Sequence, residues 1–120
     1  MINIKPTVKA ALDKVCANVF DGYPNSWEVF PIVSLEEESN LPHTITSETE
    51  KISSIRYKID IWTQNESASP MVIAVEKALF NLGMKRTFCA DSSEPRNDLK
   101  HKVLRFEGDI DVETLFVYHD

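Results

Sequence analysis

Glycine is scarce in this chain: three among 120 residues, Gly22, Gly83 and Gly108, each isolated. A phosphate-cradling loop needs clustered glycines opening into a helix, so nucleotide binding through such a motif is excluded. Cysteine is scarcer still. Cys16 and Cys89 are too few for a disulfide framework and lack the paired spacing of a zinc site. A reduced, cytosolic setting follows, in which the Asn65-Glu66-Ser67 glycosylation sequon has no relevance. No apolar run approaches the roughly 18 residues of a membrane-spanning helix, and the opening MINIKPTVKAALDKV has no uninterrupted apolar segment. The sequence therefore predicts a soluble protein that stays where it is made and engages no membrane. Positive charge is also short, with 13 Lys and Arg against 19 Asp and Glu, a net charge of -6 and a pI near 5.0. The basic footprint of a nucleic-acid-binding protein is missing, and no sequence-specific nucleic-acid partner is expected.

What is present is an ordinary globular composition, 42% apolar and 27% charged, in a length that suits one domain over residues 1–120. The charge is laid down in blocks of alternating sign: +2 over residues 1–20, -7 over 21–50, +3 over 51–90 and -4 over 91–120. Such blocks can give a folded surface separate positive and negative regions, which suits packing against copies of itself or against a charged partner.

Val8, Ala11, Leu12, Val15, Val19 and Phe20 recur at helical spacing and predict a helix over 5–20, closed by Asp21-Gly22 and Tyr23-Pro24. Residues 28–36 are rich in strand formers, with Pro31 pointing to an edge or a bulge. The polar stretch 37–50 has no clear period and predicts an exposed loop, arm or long hairpin tip. Strict alternation returns at 51–64, where Ile55, Tyr57, Ile59 and Ile61 share one side. Arg56, Lys58, Asp60 and Gln64 share the other with Trp62, which predicts that the polar side is partly covered. A second helix is bracketed by Ser69 as cap, Pro70 and Gly83, with Met71, Ala74, Val75, Ala78, Leu79 and Leu82 as its buried stripe. Strands near 84–90, 99–111 and 115–119 complete the chain, with a loop at 91–98 and the last turn at Gly108-Asp109 or Asp111–Thr114. The order predicts an α+β domain, a mainly antiparallel sheet of about four to five strands with two helices on one face.

Reactive constellations are weak. Both cysteines sit among apolar neighbours, and His43, His101 and His119 form no ligand spacing, so no catalytic residue, metal or cofactor is expected. Two acidic groups stand out. Glu36, Glu37 and Glu38 are consecutive and cannot all point one way from a strand. Glu107, Asp109, Asp111 and Glu113, spaced by two, predict a one-sided acid stripe if the strand does not break at Gly108. These seven residues are the candidate assembly or lumen surface.

The strings Phe30-Pro31-Ile32-Val33-Ser34-Leu35, Tyr57-Lys58-Ile59-Asp60-Ile61-Trp62, Leu82-Gly83-Met84 and His101 to Phe106 through Val117-Tyr118, together with the polar stretch ending in Ser47-Glu48, carry a family likeness. In these strings and in element order, residues 5–119 resemble the tail-completion proteins of long-tailed bacteriophages and prophages, also called tail terminator or tail-to-head joining proteins. The resemblance implies a structural virion protein with no enzyme activity or cofactor. It would cap the tail tube as a homohexameric ring at the tail-head junction, assembled in the host cytoplasm, with itself, the major tail tube protein and head-neck connector proteins as partners. No functional residue is transferred. A lumen lined by Glu107, Asp109, Asp111 and Glu113 would keep passing DNA off the wall. The alternative is a small adaptor, or a neck or head-closure protein, binding one partner through 37–50. A hydrolase using Cys89 and a histidine is a third reading.

Overall fold

The computed structural model describes residues 4–46, 49–111 and 117–118, with side chains for residues 4–40 and 54–109. Its elements are α1 (Lys5–Asp13), β1 (Val19–Asp21), β2 (Ile32–Thr46), β3 (Thr49–Gln64), α2 (Ser69–Asn81), β4 (Lys85–Ser92), β5 (Leu99–Asp111) and β6 (Val117–Tyr118). The strands lie side by side in the order β1-β2-β3-β5-β4, with β6 also pairing with β5; every pairing is antiparallel except that of β1 with β2. The fold is thus the α+β arrangement that the element order predicts.

β3 carries the sheet. Ile55, Tyr57, Ile59 and Ile61 are all buried on its helix-facing side, as the alternation predicts. Val33 and Leu35 of β2 and Leu104 and Phe106 of β5 join them, and Val8 and Leu12 of α1 with Val72, Val75 and Leu79 of α2 close the core from above. Burial of each such side chain contributes about 1.5–3 kcal/mol.

Several boundaries differ from the sequence reading. α1 ends at Asp13, and Val19 and Phe20 belong to β1, where Val19 pairs with Val33 and the Val33 N–H donates to the Asn18 carbonyl. Valines at helical spacing also suit a short strand, and the distant partner decides. Gly22, at φ +92°, therefore closes β1, its N–H donating to the Leu35 carbonyl. β2 begins at Ile32, after a cis Phe30-Pro31 bond, and the described residues of the polar stretch, 37–46 and 49–50, are strand, the outer part of a long β2–β3 hairpin and so the hairpin form of the three that the sequence offered. Its Thr, Ser and Ile residues find ladder partners across the hairpin, from Ser39 opposite Arg56 to Thr46 opposite Thr49. Gly108 lies inside β5 opposite Ile55, which removes the Gly108-Asp109 turn, while Asp111–Thr114 extends outside the described residues.

α2 matches its punctuation with one change. The N-cap is Ala68, and it is the Ser67 hydroxyl, not that of Ser69, that accepts the Ser69 N–H at 3.1 Å. At the other end Gly83 has φ +94°, its N–H donates to Phe80 and that of Met84 to Leu79. This pair of bonds is the Schellman closure, sealed by contact between the fully buried Met84 and Leu79. The buried line runs through Val72, Val75 and Leu79, leaving Ala74 and Ala78 half exposed.

Length sets the shape. Sixteen residues of β3 span about 53 Å at about 3.3 Å each, close to the 54 Å long axis of a molecule only 24 by 23 Å across. The thirteen residues of α2 cover about 20 Å, so the helix, running back from the Gln64 end, reaches only to the level of Tyr57. β2, β3 and β5 continue past Ile55 and Phe106, beyond the length of α2.

Candidate functional site

β5 is unbroken from Leu99 to Asp111, so Glu107, Asp109 and Asp111 do fall on one face, opposite Arg56, Ser54 and Ile52. Glu113 lies outside the described residues. The face is not a bare acid stripe. Arg56 Nε donates to Glu107 Oε1 at 2.8 Å, with its guanidinium NH2 group on the same oxygen. The bulge between Glu37 and Ser39 turns Glu38 toward the same face, where its carboxylate accepts from Arg105 Nε at 3.0 Å. Glu36 is exposed and faces Lys58 in the register. Arg105 in turn lies over the exposed Phe88 ring, 5.1 Å from its centre.

Glu37 points the other way and is half buried, accepting from Tyr57 Oη at 2.9 Å and from Asn40 Nδ2 at 3.2 Å. Burial, and then the Glu37 carboxylate, push the Tyr57 phenol far above its ordinary range. The seven acidic candidates therefore divide. Glu38 and Glu107 are neutralised by arginines of neighbouring strands, Glu37 braces the core, and Asp109 and Asp111 lie at the outer end.

A second constellation forms on the same face nearer the Gln64 end, and only its cover was legible in the sequence. Trp62, 3% exposed, stacks on His101, its cross-strand neighbour, with centroids 4.4 Å apart and planes 21° from parallel. Trp27 meets Trp62 edge-on at 5.0 Å and Tyr23 stands 5.5 Å from Trp27, so the segment after Gly22 folds over this face. His101 Nε2 lies 2.8 Å from Asp60 Oδ1. On the other side Glu94 Oε1 accepts from Trp62 Nε1 at 2.9 Å and stands 2.8 Å from His101 Nδ1, but off its N–H direction, leaving that buried nitrogen without an aligned hydrogen bond. A neutral imidazole can donate to only one of the two carboxylates.

The loop that presents Glu94 is tied at Asp98. Arg96 and Gln64 hold the Asp98 carboxyl below its usual range, with Arg96 bidentate at 3.1 and 2.7 Å and Gln64 Nε2 at 2.9 Å. Trp62 on the polar side of β3 was the signal for a covered face. The two carboxylates on His101 come from 41 residues upstream and from a loop, and nothing in the local sequence marks them.

The arrangement holds one face of the sheet together through stacking and ion pairing. It brings no nucleophile to the histidine: no thiol or hydroxyl is hydrogen-bonded to His101 among the described residues. Cys89 sits opposite Leu104, on the face away from His101, which argues against their use as a catalytic pair. Cys16 is buried, its thiol pushed up by desolvation, with Pro31 and Asn18 carbonyls at 3.5 and 3.7 Å. Among the described residues no group of three or more His, Cys, Asp and Glu is placed to hold a metal ion. No protein-family model matches this chain, and no curated protein sequence is similar to it.

Proposed function

We propose that the protein is a structural virion component, a subunit of a homo-oligomeric ring that caps a phage tail tube and joins it to the head-neck. The observation that carries this reading is the long outer extension of the sheet. β2, β3 and β5 continue past the end of α2, through Thr46, Thr49 and Asp111. A ladder of this length gives a subunit strand edges and surface to set against a neighbour in a closed assembly. β4, paired on one side by β5 and exposed along nearly its whole length, and the exposed Ile73 and Phe80 of α2 add further surface for association.

Within such a ring the lumen reading rests on the placement of Glu107, Asp109 and Asp111 along one side of β5, with Glu107 paired to Arg56. The test is the mass of the full chain by light scattering, alone and with tail tube protein, together with electron microscopy of tube ends. A closed oligomer at tube ends is the expected result. A chain that stays monomeric in both conditions and binds a single partner protein overturns the ring and leaves the adaptor reading.

A further inference from the structure

We propose that His101 is a proton-operated latch: with both ring nitrogens protonated it fastens the loop 93–98 onto the sheet through Glu94, and as the neutral imidazole it frees that loop. The latch stands apart from the ring reading and holds for a single chain. It is built from a buried imidazole set between two carboxylates that it cannot serve at once. Asp60 Oδ1 stands 2.8 Å from Nε2 and Glu94 Oε1 2.8 Å from Nδ1, and the histidine side chain is only 10% exposed. An ionised carboxylate can only accept, so the neutral ring directs its proton from Nε2 to the buried Asp60. Nδ1 is then left with a lone pair beside a second acceptor. Among the described residues it is the one buried side-chain nitrogen or oxygen without a hydrogen bond.

The charges around the ring favour a second proton. From β3 come Asp60 and Lys58, whose Nζ lies 3.6 Å from the other Asp60 oxygen. From the loop comes Glu94, while Arg96 and Asp98 pair with each other farther along. β4 places the uncharged Ser92 opposite His101, and Lys102 pairs with Asp91 on the reverse face, the side of the sheet to which the alternation also assigns Lys100. The segment after Gly22 brings Tyr23 and Trp27 to Trp62. Two anions and one cation thus leave the neutral cluster one negative charge in excess, which an imidazolium cancels. A buried imbalance of this kind is relieved either by a proton or by moving one anion into water.

The loop is the element able to move that anion. Ser93, Pro95, Arg96 and Asn97 are exposed, and the far end is tied at Asp98 by Arg96 and Gln64. The near part turns inward at Glu94, whose Oε1 also accepts from Trp62 Nε1 at 2.9 Å. A proton on Nδ1 converts the repulsive approach into a charge-assisted hydrogen bond once the carboxyl turns into line, and the loop covers Trp62 and His101. Without it Glu94 swings outward and uncovers them.

The experiment uses the full chain. Trp27 and Trp62 are its two tryptophans, so indole emission reports this cluster, and a stacked imidazolium quenches an indole more strongly than a neutral ring does. Emission should fall as pH is lowered from about 8 to about 5 with circular dichroism unchanged, and the fall should vanish in His101→Phe. In Glu94→Gln the amide still accepts from Trp62 but no longer attracts the imidazolium, so the midpoint should move down by at least about 0.5 pH unit, about threefold in proton affinity. Hydrogen exchange of the 93–98 amides, corrected for its intrinsic pH dependence, should show at least about threefold more protection at the acid end. An absent transition, one that persists in His101→Phe, a midpoint unmoved or raised in Glu94→Gln, or loop protection equal at both pH values overturns the latch. Should His101→Phe fail to fold, His101→Gln, which still offers Asp60 an uncharged donor, takes its place, and Glu94→Gln decides the question with the histidine intact.

Discussion

The two ends of the sheet obey different rules. From Ile55 to Ile61 every second residue of β3 is buried under a helix, and the strands on either side supply Val33, Leu35, Leu104 and Phe106 to the same layer. From Thr49 to Ser54 the same strand keeps its ladder with β2, joined by β5 from Ile52 onward, and its sequence turns to Thr, Glu, Lys and Ser around Ile52. Backbone pairing alone is thus enough to extend the strands, whereas a helix-backed core sits only where the side chains are apolar. The difference locates stability at one end and leaves the other available for a partner.

Substitutions can sharpen that contrast. The largest effect is expected from Phe106→Ala, which empties a fully buried position under α2; a loss of about 3–5 kcal/mol in denaturant unfolding is predicted, against less than about 0.5 kcal/mol for Ser54→Ala on the bare end. A loss as large at Ser54 would erase the distinction.

Next comes His101→Ala, which strips the buried Asp60 carboxylate of its imidazole and leaves only Lys58 at 3.6 Å, at a cost of about 1–3 kcal/mol. His101→Phe keeps a ring to stack on Trp62 but removes both nitrogens, so a similar loss would assign the effect to the hydrogen bond with Asp60 rather than to packing. If His101→Phe matched the unaltered protein, stacking alone would explain the cluster.

Tyr57→Phe removes the bond to Glu37 and should cost about 1 kcal/mol at neutral pH. It should also change the alkaline limb. The folded state holds the Tyr57 phenol protonated well above the pH at which the unfolded chain ionises it, near 10. The unfolded state therefore binds fewer protons above that pH, and stability falls as pH rises past about 10. Urea midpoints between pH 8 and 11 should decline less steeply in Tyr57→Phe, and identical slopes would show that the phenol does not contribute. The smallest effect is expected on the helix surface, where the exposed Lys9 and Asp13 side chains approach to 3.1 Å; Asp13→Asn should cost no more than about 0.5 kcal/mol and vanish in high salt.

The same division governs how much could be read without coordinates. The buried alternation of β3 and the closure of α2 at Gly83 are local patterns, and each was legible because the residues concerned are neighbours in the chain. The expected Ser69 cap was not found: the N-cap is Ala68, which has no capping side chain, and the Ser69 N–H instead meets the Ser67 hydroxyl, a choice made by the backbone path. The acidic candidates were found as a spacing, and β5 does carry Glu107, Asp109 and Asp111 on one side; the pairing of Glu107 with Arg56 was not legible, because that arginine stands on another strand. The aromatic and histidine cluster escaped notice except for the misplaced Trp62, because Asp60 and Glu94 reach His101, and Trp27 reaches Trp62, only after the strands have paired.

By itself the sequence determined which residues alternate, where the second helix stops, and that the chain would form one α+β layer pair, since steric preference and amphipathic spacing act over a few residues. Tertiary structure alone decided that Val19–Asp21 is a strand, which of loop, arm or hairpin residues 37–46 would form, and that Glu38 meets an arginine 67 positions away. Strand pairing and charge neutralisation are set by what the rest of the fold places alongside, and neither leaves a mark in the local order of residues.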